Sequence, residues 1–203
     1  MKVDFIEQSY EILDMTPDPV GAIARAARTC YRSEANASAA NDVRLVRRLI
    51  ESGHEAMVEH AWLSVRFRTD RGVSHEIVRH RLFSFAQEST RYCNYDGRGF
   101  EFILPVGISG SEDATMRMLC RHAAQTYSAL VDNGTTPEIA RAVLPNATAT
   151  TIVVSGNLRE WRHALRLRTD SHAHPQIRAL MTPLLAELRE KMPVVFEDIG
   201  GAE

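Results

Sequence analysis

RHRLFSFAQESTRY, from Arg79 to Tyr92, is the stretch that organises this 203-residue chain. Arg79, Arg81 and Arg91 stand against Glu88 alone, a basic island in a chain whose net charge is −2. Gly72 to His80 reads as a helix that delivers the motif. On it Arg79 and Arg81 would point about 200° apart, so one surface partner could not answer both. Basic runs are more often solvated faces, but Leu82, Phe83, Phe85 and Ala86 interrupt this one, which a solvated strip does not need. The segment makes sense as a wall between two anionic ligands, or between a ligand and a second subunit. Arginine suits that place because its planar fork grips phosphate or carboxylate bidentately.

Outward from the motif, composition sets the frame. The length suits one domain, residues 1–203, with a real core, and 44% hydrophobic with 25% charged residues is ordinary for a globular chain. No apolar run reaches membrane-spanning length and no secretory pattern opens the chain, so a cytoplasmic protein with no membrane partner is expected. The near-neutral balance argues against a general nucleic-acid binder. Cys30, Cys93 and Cys120 are odd in number and far apart, which implies neither a disulfide framework nor a zinc pair.

Periodicity predicts helices over 18–31, 42–52 (capped by Asp42, stopped by Gly53), 112–132, 137–144, 157–168 and 176–191. Trp62 to Arg68 alternates, with Leu63, Val65 and Phe67 on one face, and Thr148 to Ser155 is rich in Thr and Val; both read as strands. The expected fold class is α/β (α+β): one domain of helices packed on a small sheet.

Several other clusters bear weighing. His54 and His60 flank two glutamates, but a zinc-protease helix needs its histidines four apart, and these are six apart. Glu138 and Arg141 read as an intrahelical ion pair. Asn157-Leu158-Arg159 opens a helix after a strand, where backbone amides and Arg159 form a plausible anion or carbonyl site, although Asn157 also serves as a plain N-cap. Asp170, His172 and His174 lack the further ligands of a metal shell, so no metal is expected. Gly107 and Gly110 have neither the spacing nor the neighbours of a dinucleotide fingerprint or P-loop. Nothing near Cys93 identifies an activating base, so it reads as an ordinary thiol.

RHR, seven residues, Ser89, then Arg91-Tyr92 resembles the signature of the flavin-dependent thymidylate synthases. Four separated motifs follow that family's order from about Ala22 to Phe196, nearly the whole chain. The resemblance implies a homotetramer with a mostly antiparallel sheet and active sites where subunits meet. It implies tightly bound FAD, with NADPH and 5,10-methylenetetrahydrofolate as co-substrates, and conversion of dUMP to dTMP. Carried across, His54, Ala56, Arg79, His80, Arg81, Gln87, Asn157, Leu158, Arg159 and His163 would line FAD. Glu76, Ile77, Val78, Arg79, Gln87, Glu88, Ser89, Thr90, Arg91, Arg141 and Arg168 would surround dUMP. Arg168 would sit at the pyrimidine edge and activate C5 electrostatically. Ser89 would position and polarise the ring, with reduced flavin supplying hydride and no enzyme nucleophile.

The chain departs from the family in places. Ala56 stands where many members carry a hydroxyl, and His163 where some carry Asn. Gln87-Glu88 moves a carboxylate one position along from the Glu that many members have at 87. Two other readings stay open: flavin-dependent modification of another pyrimidine nucleotide, or a nucleotide-binding homologue without catalysis.

Overall fold

The computed structural model describes residues 2–200. Its strands are β1 (Val3–Phe5), β2 (Ser9–Met15), β3 (Trp62–Asp70), β4 (Ser84–Gln87), β5 (Phe100–Phe102) and β6 (Ala149–Asn157). Its helices are α1 (Pro19–Thr29), α2 (Ala39–Glu51), α3 (Arg71–Ile77), α4 (Tyr95–Arg98), α5 (Gly110–Asp132), α6 (Pro137–Ala140), α7 (Leu158–Arg168), α8 (Pro175–Lys191) and α9 (Pro193–Phe196). Four strands form a sheet in the order β2-β3-β6-β4, and β1 pairs with β5 in parallel. The larger sheet is antiparallel: Ser64 meets Ser155 while Arg68 meets Thr151, so β6 runs backwards along β3. The mixed helix and sheet class is the one expected.

The chain divides into two compact units. The first takes the chain up to Ser9 with Phe67–Arg79 and Phe85–Val153; the second takes Tyr10–Arg66, His80–Ser84 and the chain from Val154 on. The core of the first is aromatic. Phe100, Phe102, Tyr95 and Tyr127 gather with Cys120 and Ala124 of α5, and Tyr127 meets the Phe100 ring edge-on at 5.4 Å.

In the second unit Leu63 and Val65 of β3 and Val154 of β6 are buried, as strand alternation predicts. Trp161 is buried there, with its indole N–H on the Leu63 carbonyl at 3.0 Å.

Local chemistry explains most helix ends. Asp18 caps α1 by accepting from the amide of Gly21 at 2.9 Å, and Gly134, at φ +87°, ends α5 as the sequence suggests. Helix α2 starts earlier than predicted. Its cap is Ser38, which accepts from Asn41, and Asp42 lies inside the first turn. There Asp42 pairs at 2.5 Å with the buried Arg28. Helix α3 stops at Ile77, short of the predicted end, so Arg79 and Arg81 do not lie on a helix. They occupy the turn beyond it, where both are exposed and His80 between them is buried.

Candidate active site

In the first unit, the site is built on α3, β4 and the turn after β4. Asp70 caps α3 by accepting from Val73 at 2.8 Å, and the short helix carries Glu76 and Ile77 to its C-terminal end, with Val78 capping and Arg79 beyond. Ile77 is core rather than surface. Gln87, closing β4, donates from its amide to Ser74 Oγ at 2.9 Å and Thr150 Oγ1 at 3.3 Å, which ties strand to helix. The Glu88 amide continues the pairing to the Thr151 carbonyl at 2.9 Å.

Glu88 itself is held from the side. Arg68 donates to its carboxylate at 3.2 Å and to Thr151 Oγ1 at 3.0 Å, and also pairs with Glu101. The Tyr95 hydroxyl lies 3.5 Å from the other Glu88 oxygen. Burial first, then the Glu88 charge, pushes that phenol well above its ordinary range, so it stays protonated and donates. Arg68, Glu88, Tyr95 and Glu101 line a polar cavity of about 250 Å³ with Cys93 and Asn94. Sequence reasoning missed Arg68, Tyr95 and Glu101. The alternation of β3 places Arg68 opposite the buried Phe67, but nothing in the sequence names its partners.

The next three residues form a turn. The Ser89 carbonyl accepts from the amides of Tyr92 and Cys93 at 3.2 and 3.0 Å, and its Oγ accepts from Arg91 at 3.3 Å. Among the described residues no histidine bonds to Ser89. Thr90 is buried and its Oγ1 accepts from Arg141 Nη1 at 3.0 Å. The predicted Glu138–Arg141 ion pair does not form. Helix α6 is too short to stack the two side chains, so Arg141 Nε reaches the Glu138 carbonyl at 3.2 Å. The Glu138 carboxylate instead faces Arg91 at 3.8 Å. Ser89, Thr90, Arg91 and Arg141 are thus brought together across about fifty residues of sequence.

In the second unit, the β6–α7 junction carries the other predicted residues. Asn157 caps α7 by accepting from Glu160 at 2.9 Å, and the Leu158 amide is taken by the Ala61 carbonyl at 2.8 Å. The expected run of free amides is therefore mostly consumed internally. Leu158 is fully buried, and the Arg159 guanidinium pairs with Glu59 at 2.5 Å and Glu55 at 3.9 Å. Beneath them Arg162, 1% exposed, is forked between Asp198 at 2.7 Å and Glu55 at 3.1 Å. A cavity of about 520 Å³ opens here, lined by Glu55, Glu59, Leu82, Asn157, Arg159 and His163 among others. A second one, of about 330 Å³, takes His54, Ala56 and the other side of Arg159.

Arg168, at the last turn of α7, donates from Nε to His80 Nε2 at 3.0 Å. The His80 ring is lowered to a pKa of about 4 by burial, then by the charges of Arg168 and His163. On its far side Glu160 is raised by its own burial. His172 and His174, the pair that invited a metal reading, are used locally. One bonds Asp170 at 2.8 Å and the other caps α8.

The residues present fit a flavin dinucleotide. Arg79 and Arg81 are exposed cations that make no ion pair with any described residue, the condition expected of groups that bind diphosphate. The 520 Å³ cavity adds the width a ring system needs, with Asn157, His163 and Leu82 on its walls.

The model of the thymidylate synthase complementing protein family matches residues 11–194. The chain belongs to that family. A flavin-dependent thymidylate synthase from Geobacter sulfurreducens is 36% identical over 198 residues, covering 93% of this chain and 85% of that one. The enzyme of that name from Mycobacterium tuberculosis is also 36% identical, over 85% of this family member and 76% of its own length. Among solved structures, the UMP/dUMP methylase PolB from Streptomyces cacaoi bound with 5-Br dUMP superposes with a TM-score of 0.85 at 25% identity. That match covers 96% of this chain and 95% of PolB. No helix of the described residues is long and apolar enough to cross a membrane.

Proposed function

We propose that this chain catalyses the reductive methylation of dUMP to dTMP, working as a single catalytic domain within a homotetramer. Methylenetetrahydrofolate is the one-carbon donor, and FAD the tightly bound cofactor. When bound and reduced by NADPH, the flavin supplies the hydride equivalent that turns a transferred methylene into a methyl group.

The observation that carries this reading is the Ser89–Arg91 turn. Two guanidiniums, Arg91 and Arg141, gather there, and Thr90 fixes the second. Among the described residues Glu138 alone, 3.8 Å from Arg91, answers their charge, which suits a phosphomonoester dianion. Ser89 and the Gln87 amide carbonyl are polar groups for the base and sugar, with Glu76 at the end of α3 a further one. Arg168 places a permanent cation at the pyrimidine N3–O4 edge. Negative charge developing there is stabilised, and C5 becomes the nucleophile. No protein nucleophile is needed, in keeping with a Ser89 that has no histidine partner among the described residues.

A second reading concerns the sugar: the likeness to a UMP/dUMP methylase favours testing whether a 2′-hydroxyl is tolerated. The purified protein is expected to show a bound-flavin spectrum that shifts with dUMP and not with dCMP. With NADPH and methylenetetrahydrofolate it should form dTMP, identified by mass. A spectrum blind to dUMP, or a product other than dTMP, would refute the proposal. Turnover of UMP at a comparable kcat/KM would widen the substrate to uridylates.

A further inference from the structure

One ring nitrogen of His80 is hydrogen-bonded inside the chain, and the other faces a carboxyl group beyond hydrogen-bond length. Nε2 lies 3.0 Å from Nε of Arg168, and Nδ1 lies 3.6 Å from Oε1 of Glu160. Arginine is a permanent donor with no lone pair to offer, so Nε2 must be the acceptor and the ring must be neutral. Its one proton is then on Nδ1, on the side of the Glu160 carboxyl. The ring is 7% exposed and packed beside Phe83 and His163, at centroid distances of 6.1 and 5.8 Å. We propose that His80 is the positioning residue that aims the Arg168 guanidinium, and that its ring does not bind cofactor or nucleotide.

The argument is one of geometry. A guanidinium is planar, so fixing the direction of its Nε–H fixes the plane and the heading of both terminal nitrogens. Arg168 is the last residue of α7. An acceptor buried at the base of its side chain sets the direction of its Nε–H from the side away from the terminal nitrogens. Glu160 faces the Nδ1 side of the ring at 3.6 Å, an electrostatic neighbour of the proton there rather than its hydrogen-bond partner. The charged and titratable groups facing the ring are Arg168, His163 and Glu160, and the first two oppose a second proton on it. The low pKa of His80 agrees with an acceptor that must stay neutral. The flanking Arg79 and Arg81, exposed on either side, are left to meet ligands.

This inference rests on the reading of Arg168 as the group that activates the pyrimidine, but its geometric part is tested without turnover. In ¹⁵N-histidine NMR of the wild-type holoprotein, His80 is expected as the neutral Nδ1–H tautomer from pH 8 down to about 5. Its Nε2 resonance should move in Arg168→Leu. A His80 that titrates in the ordinary histidine range, carries its proton on Nε2, or ignores Arg168→Leu overturns the assignment. Kinetically, His80→Leu should lower kcat for dTMP formation by about 100-fold, the scale of a misaimed catalytic group, with FAD stoichiometry unchanged. His80→Gln, whose carbonyl takes the Arg168 N–H, should recover most of that loss. If the leucine variant does not fold, the glutamine variant and the NMR decide. FAD lost from His80→Gln would return the ring to the cofactor and sink the proposal. Wild-type protein with the expected NMR but no dTMP would refute the functional reading while leaving the His80–Arg168 link intact.

Discussion

Phe83 fills the space that any side chain at position 156 would need. A Cβ built on Gly156 falls 2.3 Å from Phe83 Cδ1 and 2.7 Å from Cε1. The ring is backed by Trp161, 4.6 Å away centroid to centroid, and the indole is tied to Leu63. Phe83 therefore has nowhere to retreat, and this packing anchors the turn that carries His80 and Arg81. Gly156→Ala should cost about 1–3 kcal/mol, as overpacked cores do. Adding Phe83→Leu should return part of that loss, a non-additivity that urea unfolding of the two single variants and the double variant would reveal. Strict additivity would remove the clash as the cause.

Arg162 predicts an acid limit on stability. The guanidinium holds the Asp198 carboxyl below the usual carboxylate range, chiefly through its hydrogen bonds. A carboxylate lowered in the folded state contributes stability above its unfolded pKa and loses it as pH falls through the folded one. Asp198→Asn should lower stability at pH 7 by about 1–2 kcal/mol, less than the full scale of a hydrogen bond to a charged group because the carboxylate is 43% exposed. The gap from wild type should close as the pH drops below the ordinary aspartate range. A gap that stays constant into acid would show that the charge of Asp198 does not matter.

His80 gives a window of the same direction at higher pH. Its pKa falls from 6.5 to about 4 on folding, so between these values the unfolded chain holds a proton that the folded chain does not. Stability should be full above pH 6.5 and decline towards pH 4, by at most on the order of 3 kcal/mol. In His80→Gln that decline should be shallower. Identical slopes for the variant and the wild type, measured by thermal unfolding across pH 4–7, would contradict it.

The carboxylate at position 88 should act through the turn it steadies. Removing it in Glu88→Leu frees one arm of Arg68 and the Tyr95 hydroxyl, and loosens the approach to Ser89 and Thr90. KM for dUMP is expected to rise about tenfold with kcat nearly unchanged, the pattern of lost uniform binding. A fall in kcat at constant KM would instead place Glu88 at the reacting atoms.

Much of the fold was written in local pattern. Alternation at Leu63, Val65 and Phe67 gave β3, and helical periodicity closed by Asn133-Gly134 gave α5, because burial on one face is a periodic demand on sequence. The short pieces were not legible. Strands β1, β4 and β5 are three or four residues long, too short for a period to register, and are fixed by partners far along the chain. Caps were only half readable, since Ser38 and Asp42 are equally good N-cap residues and the burial of Arg28 decides between them.

The site divides the same way. The residue types and spacing from Arg79 to Tyr92 pointed to anion recognition and, by resemblance, to the family to which the chain belongs. Tertiary structure alone decided which cations are paired and which are left to bind. It gave Arg159 to Glu59, Arg141 to Thr90 and Arg168 to His80, and left Arg79 and Arg81 exposed. Sequence fixes which charges a chain carries; their work depends on distance and burial, which are set only when segments a hundred residues apart pack together.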